Sequence, residues 1–180
     1  MEMIDIYDDL GQKTGETAEN CEVHRKGLIH KGICVWILNS NNEVLLQRRA
    51  SDTTLPDMLD ISFSGHVKSG ETAMDAVFRE GKEELGIEIK KEQLQYLYSC
   101  REYGRLDDYI ENEIEDVFLY RTNFPVEQYR FLDGEVQDAA YIPLERFRVM
   151  VENKDASLVP YESHYDCFLS VIESRLVREQ

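Results

Sequence analysis

The sequence predicts an α/β fold, an α/β/α sandwich in which helices cover both faces of a central mixed sheet. Residues 32–38, GICVWIL, are continuously apolar and of strand length, which is typical of a buried central strand. Shorter strand-like segments lie on both sides of this run, and helical segments are interleaved with them. Because strands and helices alternate along the chain, the pattern favours a sheet between two helical layers.

The predicted elements follow one another with short connections. Residues 3–7 predict a strand and residues 8–15 supply turn residues, so residues 1–20 predict an N-terminal hairpin. After the central strand, residues 39–43 predict a turn, and residues 48–56 a polar loop. The remaining predicted strands are 44–47, 61–63, 94–101, 117–121 and 141–143, and the remaining predicted helices are 144–151 and 164–178.

Composition limits the classes of function. The chain has 180 residues, 42% hydrophobic content and a formal net charge of −16, and it contains no internal repeat or linker, so we expect one domain over residues 1–180. The absence of a basic patch argues against a nucleic-acid polymer as partner. No apolar run approaches the roughly 20 residues of a membrane span, and the acidic N-terminus lacks a signal-peptide pattern. Four scattered cysteines predict reduced thiols and a cytoplasmic protein: Cys21, Cys34, Cys100 and Cys167.

Residues 65–87, GHVKSGETAMDAVFREGKEELGI, carry the strongest functional signal. Glu80, Glu83 and Glu84 are spaced i, i+3, i+4, which places three carboxylates on one face of a helix. Such a concentration of hard oxygen ligands predicts bound Mg²⁺ or Mn²⁺. Ser69 and Thr72 are candidate N-cap residues, Glu71 would add negative charge to the first turn, and Gly86 would end the helix, as glycine commonly does.

This segment resembles the Nudix box, in which a glycine, a glutamate, an Arg-Glu pair, a Glu-Glu pair and a second glycine stand at fixed spacings. Every charged and glycine position is filled here, and the single departure is Gly81, where an aliphatic residue is usual. The resemblance implies the Nudix fold and hydrolysis of a diphosphate linked to an organic moiety.

The same resemblance implies roles for individual residues. Glu80, Glu83, Glu84 and the carbonyl of Gly65 would bind Mg²⁺ or Mn²⁺, and Arg79 would orient Glu80. Glu80, Glu83 or Glu113 would act as the base toward water. The partner would be a small-molecule diphosphate, and the protein would form a homodimer.

A second group of residues lies outside the box. His24, His30, His66, Glu111 and Glu113 predict a second metal site if folding brings them together, because imidazole and carboxylate suit Mn²⁺, Zn²⁺ or Mg²⁺. The alternative is that the histidines are ordinary surface or hydrogen-bonded side chains. In that alternative the acidic segment that contains Glu111, Glu115 and Asp116 is solvated.

The group is similar to the metal ligands of type 1 isopentenyl diphosphate isomerase, a relative of the Nudix hydrolases. The sequence departs from the isomerase pattern in four respects. Ser64 stands where the isomerase has an essential cysteine, and the only tryptophan, Trp36, lies in the first core strand. Lysines are absent between Arg49 and Lys68, where the isomerase has some, and the Nudix box is nearly complete, whereas that of the isomerases is degenerate. The resemblance therefore favours a hydrolase of the isomerase-like branch. An isomerase and a non-catalytic nucleotide sensor remain as alternatives.

Basic residues near the predicted site are candidates for binding substrate phosphate. Arg48 and Arg49 end the second core strand, and the planar guanidinium can donate two hydrogen bonds to phosphate oxygens. Alternation along the strand predicts that one of this pair faces the site and the other faces solvent. Lys31, in a small basic segment of this acidic chain, is a further candidate.

Overall fold

The computed structural model describes residues 2–132 and 134–176. It begins with the predicted N-terminal hairpin, in which β1 (Met3–Tyr7) pairs antiparallel with β2 (Lys13–Glu19). A short helix that the sequence did not predict, α1 (Asn20–Lys26), follows directly and ends at Gly27, whose φ of 63° is the left-handed conformation that glycine accepts readily. The hairpin and α1 bury a small apolar cluster around Ile4 and Val23.

A seven-stranded mixed sheet forms the centre of the molecule. Its strands are β3 (His30–Leu38), β4 (Glu43–Arg49), β5 (Leu59–Asp60), β6 (Phe63–His66), β7 (Leu94–Leu106), β8 (Tyr109–Arg121) and β9 (Val136–Pro143). The order β5-β4-β3-β8-β7 forms the main path, with β6 paired to β3 and β9 paired to β4. β3 and β8 run parallel, and the other pairs are antiparallel, so the predicted mixed sheet is confirmed.

Several strands differ from the predicted bounds. The strand predicted at 61–63 is wrong in its bounds, because β5 ends before it and β6 begins at its last residue. The strands predicted at 94–101 and 117–121 are much longer, since β7 and β8 pair continuously to the turn that joins them. β9 begins at Val136 rather than residue 141, because it pairs with β4 along most of its length.

Helices cover both faces of the sheet, as predicted. α2 (Ala73–Glu84) packs on one face, over a core that includes Ile33, Phe63 and Phe118. On the other face α3 (Leu144–Glu152) and α4 (Glu162–Leu176) enclose Trp36. Trp36 is fully buried and stacks on Phe168 with ring centroids 4.0 Å apart, so this tryptophan belongs to the core. No helix among the described residues is long and apolar enough to span a membrane.

The boundaries of α2 follow from its sequence. Thr72 is the N-cap, and its hydroxyl and the Asp75 carboxylate each accept from the other's backbone N–H in a capping box. Glu71 lies before the cap, so the predicted role of Glu71 in the first turn is wrong, and its carboxylate binds Arg79 instead. Gly86, with φ 66°, follows the last turn and permits the chain to leave the helix.

Candidate functional site

A polar cavity of about 320 Å³ opens between α2, β6, and the ends of β7 and β8. Most of the ionisable side chains around it are acidic, and the arginines and lysines among the described lining residues are Arg49, Lys68 and Arg79. This imbalance favours bound cations, because like charges in a partly buried space repel one another. The glutamates that line the cavity are Glu2, Glu80, Glu83, Glu84, Glu102, Glu111, Glu113, Glu115 and Glu135.

Arg79 connects the acidic face of α2 to the preceding loop. Its Nε and Nη2 donate to the two oxygens of Glu71, both at 2.9 Å, in a bidentate pair. Nη1 donates to the carboxylates of Glu80 and Glu83, and Nη2 also donates to the carbonyl of His66 at 2.8 Å. The backbone N–H of Lys68 donates to Glu71. This network holds Glu80 in one orientation and fixes the loop from His66 to Glu71 against the helix.

The carboxylates of Glu80 and Glu84 lie close to β6. A Cβ built on Gly65 would lie 2.2 Å from Oε1 of Glu80, so only glycine leaves room for this carboxylate. Glu84 is also buried, and its Oε1 accepts from the Ser64 backbone N–H at 3.3 Å, whereas Glu83 is exposed. Burial raises the pKa of Glu80 to about 7, although Arg79 acts in the opposite direction.

The structure brings the three predicted histidines together. Nε2 of His24 lies 3.1 Å from Nε2 of His66, and all three rings have centroids within 4.9 to 5.2 Å of one another. Nε2 of His30 lies 3.4 Å from Oε1 of Glu111 and 3.7 Å from Oε1 of Glu113. The predicted group of three imidazoles and two carboxylates is therefore one spatial cluster, contributed by α1, β3, β6 and β8.

The hydrogen bonds of the histidines leave ligand atoms directed into this cluster. Nδ1 of His30 lies 3.0 Å from the Leu28 carbonyl, and Nδ1 of His24 lies 3.4 Å from the Ile110 carbonyl. If each Nδ1 carries the proton and donates it, Nε2 retains its lone pair, which is the arrangement common in metal-binding histidines. Nε2 of His24 also lies 3.2 Å from the Tyr109 hydroxyl. Nε2 of His30 and Oε1 of Glu111 are buried and lack a hydrogen-bond partner among the described residues.

Burial sets the protonation states of the cluster without metal. It lowers the pKa of His30 to about 4 and that of His66 to about 3, so both imidazoles are neutral near pH 7. Burial raises the pKa of Glu111 to about 7, and it also raises the pKa of Glu113 well above its usual value, with Glu115 and Glu111 adding to the effect. Neutral imidazoles and ionisable carboxyls are the forms that a divalent cation can bind once it displaces the carboxyl protons.

Backbone glycine makes room for this cluster as well. Gly32 in β3 lies beside Glu113, and a Cβ built on Gly32 would lie 1.8 Å from Oε1 of Glu113. β3 and β8 therefore pack closely enough to bury the Glu113 carboxylate, which is 8% exposed. The position of Gly32 within the apolar run gave no indication of this role in the sequence.

Of the three predicted phosphate-binding residues, only Arg49 lines the cavity. Its Nη1 donates to the buried carboxylate of Asp60 at 2.7 Å. Arg48 points elsewhere, toward the Asp57 carbonyl and Asp138, as alternation along β4 predicts. Lys31 pairs with Asp116 outside the cavity.

Glu102, Glu115 and His164 line the cavity although the sequence gave them no functional role. The alternative in which Glu115 is solvated is wrong, because this side chain faces the sheet surface under α4 and is only 8% exposed. In β8, Glu111, Glu113 and Glu115 occupy the same face as the core residues Val117 and Leu119. This alternation of acidic residues into an apolar strand was the available signal. His164 is 3% exposed, and nothing in the sequence linked it to β8.

Comparison with known proteins decides the family. The model of the NUDIX domain matches residues 28–161 of the chain. The chain belongs to the Nudix hydrolase family. Nudix hydrolase 3 of Arabidopsis thaliana is 31% identical over 182 aligned residues, which cover 97% of this chain but only 24% of that protein, so the chain spans about a quarter of this relative. Isopentenyl-diphosphate Delta-isomerase of Rhizobium rhizogenes is 34% identical over 119 residues, covering 65% of this chain and 56% of the isomerase.

Solved structures agree with the Nudix fold. A crystal structure of a Deinococcus radiodurans protein superposes with a TM-score of 0.71 at 18% identity, covering 92% of this chain and 98% of that chain. The NUDIX domain of Shewanella oneidensis NrtR, complexed with ADP ribose, gives a TM-score of 0.59 at 12% identity and covers 81% of this chain and 87% of that chain. At these identities the likeness establishes the fold alone.

Proposed function

We propose that this Nudix protein hydrolyses a diphosphate linked to an organic moiety in a reaction that depends on Mg²⁺ or Mn²⁺. The observation that carries the proposal is that Glu80 and Glu84 both lie against β6. Gly65 leaves room there for the Glu80 carboxylate, and Arg79 orients that carboxylate. The cluster of carboxylate oxygens and the absence of a side chain at Gly65 fit a hard divalent cation. When bound, the cation neutralises phosphate charge and makes water more acidic.

The residues of the chain have separate tasks in this proposal. Glu80, Glu83, Glu84 and the carbonyl of Gly65 hold the cation. Arg79 fixes Glu80 through hydrogen bonds, while Glu71 fixes Arg79. A carboxylate accepts a proton from the water that attacks phosphorus in line.

Glu80 and Glu113 both suit the role of base. Both carboxyls are buried at the cavity, and in the metal-free protein burial raises the pKa of each. Glu83 is more exposed. Arg49, at the cavity wall, would contact the phosphate. Lys68 also lines the cavity and is a second candidate for phosphate binding.

The size and charge of the cavity support a class of substrate. Its volume of about 320 Å³ suits a small molecule, and its acidic lining favours metal binding before a phosphate enters. The ADP-ribose complex of a structural neighbour and the isomerase names among the relatives support a nucleotide or isoprenoid-type diphosphate. A homodimer and a cytoplasmic location remain part of the proposal.

The first test measures release of phosphate and monophosphate from a panel that includes ADP-ribose, nucleoside triphosphates and isopentenyl diphosphate, with Mg²⁺ and with Mn²⁺. Glu80→Gln and Glu84→Gln should each reduce turnover by about a hundredfold or more, because the lost charge removes a metal ligand. The control is Glu88→Gln, an exposed glutamate just beyond the box, which should retain turnover. Wild-type turnover in both site variants, with unchanged melting temperatures, would rule out the proposed role of the box.

An isomerase of allylic diphosphates is the second candidate, and the cluster of His24, His30, His66, Glu111 and Glu113 favours it. We propose that these residues hold a second divalent cation, because Nε2 of His30 and Oε1 of Glu111 are buried, lie 3.4 Å apart and make no hydrogen bond to any described residue. Two features argue against isomerase chemistry. Ser64 is a weak acid or base near neutral pH, and Trp36 is buried in the core away from the cavity. An isomerase would incorporate deuterium from D₂O into substrate carbon, whereas a hydrolase would not.

A further inference from the structure

A third cluster of metal-ligating side chains lies at the wall of the cavity beneath α4. It consists of Cys100 and Glu102 from β7, Glu115 from β8, and His164 from α4, and one ligand atom from each lies within 4.8 Å of all the others. Cys100 and Glu115 are direct cross-strand partners, and Glu102 follows on the same face of β7. Neither the box nor the three-histidine cluster contains any of these residues.

The distances match a small coordination sphere. Nδ1 of His164 lies 3.2 Å from Oε2 of Glu115 and 3.7 Å from Oε1 of Glu102, and Sγ of Cys100 lies 4.0 Å from Oε2 of Glu115. Tetrahedral ligands at about 2.0–2.3 Å from zinc are separated from one another by roughly 3.3–3.8 Å. The four side chains therefore need only small adjustments to enclose one ion.

The orientation of His164 is fixed from the opposite side of its ring. Its Nε2 lies 3.1 Å from Sγ of Cys34, a fully buried cysteine of β3, so Nε2–H can donate to sulfur while Nδ1 faces the carboxylates. A metal-binding histidine commonly has its second ring nitrogen held in this way.

We propose that Cys100, Glu102, Glu115 and His164 form a binding site for a zinc-class transition-metal ion. A thiolate with an imidazole and two carboxylates favours Zn²⁺ or Co²⁺ over Mg²⁺, which prefers oxygen ligands alone. The ligands come from β7, β8 and α4, so a bound ion would connect the C-terminal helix to the long β-hairpin. Because Glu102, Glu115 and His164 line the cavity, the ion would also form part of its wall. This proposal is independent of the proposed hydrolysis.

Cobalt is the probe that separates this site from the other two. The full chain is stripped with a chelator and titrated with Co²⁺ while the ultraviolet thiolate-to-cobalt charge-transfer band is recorded. The box and the three-histidine cluster contain no thiolate and cannot give this band. We expect a saturable band, displaced by Zn²⁺, that disappears in Cys100→Ser and in His164→Gln. Glu102→Gln, which changes a partly exposed side chain, should keep the fold and weaken Co²⁺ affinity by at least about tenfold.

Matched control variants test whether the charge-transfer band comes from the proposed site. Cys21→Ser and Cys167→Ser remove exposed thiols, and Cys167 lies on the same helix as His164, so both variants should retain the full band. His30→Gln disrupts the three-histidine cluster and should also retain it. No charge-transfer band, a band lost with Cys21 or Cys167, or unchanged Co²⁺ affinity in Glu102→Gln would overturn the proposal.

Discussion

Arg79 is the residue on which the geometry of the acidic helix face depends. It contacts Glu71, Glu80 and Glu83 at once and also donates to the His66 carbonyl. The planar guanidinium can make these bonds in several directions, whereas a lysine ammonium cannot hold a bidentate pair. In the proposed reaction Arg79 therefore positions Glu80 rather than contacting the substrate.

Arg79→Lys should lower kcat by at least about tenfold while the melting temperature changes by only a few degrees, because charge is kept and orientation is lost. The measurement is steady-state turnover of the best substrate, with circular dichroism melting in parallel. Arg105→Lys, at an exposed arginine near the β7–β8 turn, provides the matched control and should be active. Full activity in Arg79→Lys would show that the network has no part in turnover.

The relative positions of individual residues could be predicted where a local sequence pattern determines them. The spacing of Glu80, Glu83 and Glu84 follows from helix geometry alone, and the structure places them on one helix as expected. His164 and Glu115 meet only because α4 crosses β8, and the sequence separates them by almost fifty residues. A single sequence carries no signal for such a contact, so the third cluster could not be predicted.

At the scale of elements, α2 contains the departure from the family pattern at Gly81. The structure has a close side-chain contact at this glycine, since a Cβ built on Gly81 would lie 2.8 Å from Cγ1 of Ile89 and 3.5 Å from Cζ of Phe63. The missing side chain lets α2 pack tightly against Ile89 and β6.

Gly81→Ala should therefore destabilise the protein, although alanine in a helix interior is normally favoured by about 1 kcal/mol. Overpacking a filled core costs about 1–3 kcal/mol, so the net loss should be about 1 kcal/mol in the free energy of unfolding by denaturant. In the Ile89→Ala background, where space is open, Gly81→Ala should become stabilising. Equal stabilisation in both backgrounds would mean that packing does not explain the glycine.

The elements that the sequence predicted well are those with a strong local pattern. β3 is continuously apolar, and α2 has caps and an apolar stripe. α1 was missed because NCEVHRK is short and contains one large apolar residue that is buried, Val23. The extensions of β7 and β8 were missed because their outer halves are rich in charge, and pairing between the two strands determines their length. Part of the helix predicted at 164–178 lies outside the described residues.

At the scale of the whole molecule, a net charge of −16 is accompanied by a cavity in which buried acids meet neutral histidines. Glu80 and Glu111, each with a pKa raised to about 7, hold protons in the folded state that the unfolded chain releases near pH 4.3. These two carboxyls therefore contribute fully to the stability of the metal-free protein below about pH 4.3, and their contribution is lost as pH rises toward 7. His30 and His66 have lowered pKa values of about 4 and 3, so the unfolded chain binds their protons first as pH falls below about 6.5. Protonation of these two residues therefore favours the unfolded chain and lowers the stability of the folded protein at acidic pH.

Metal binding should be favoured by high pH because Glu80 and Glu111 must lose their protons, whereas His30 and His66 are already neutral at pH 6. We expect the rise in melting temperature produced by Mn²⁺ to be clearly larger at about pH 8 than at about pH 6. Apparent affinity should increase by about tenfold per pH unit for each proton released. Melting curves with and without Mn²⁺ at each pH provide the control, and a shift independent of pH would contradict this account of the site.

The most direct test of the central claim follows the oxygen of water into the product. The wild-type protein is incubated with its best substrate from the panel and, in a separate reaction, with isopentenyl diphosphate. Both reactions contain Mg²⁺ or Mn²⁺ and are run in water that carries ¹⁸O and deuterium. We expect one ¹⁸O atom on a phosphate-bearing product, no deuterium in recovered substrate carbon, and loss of labelling in Glu84→Gln. Deuterium in isopentenyl carbon with no ¹⁸O on phosphorus would contradict it and favour the isomerase.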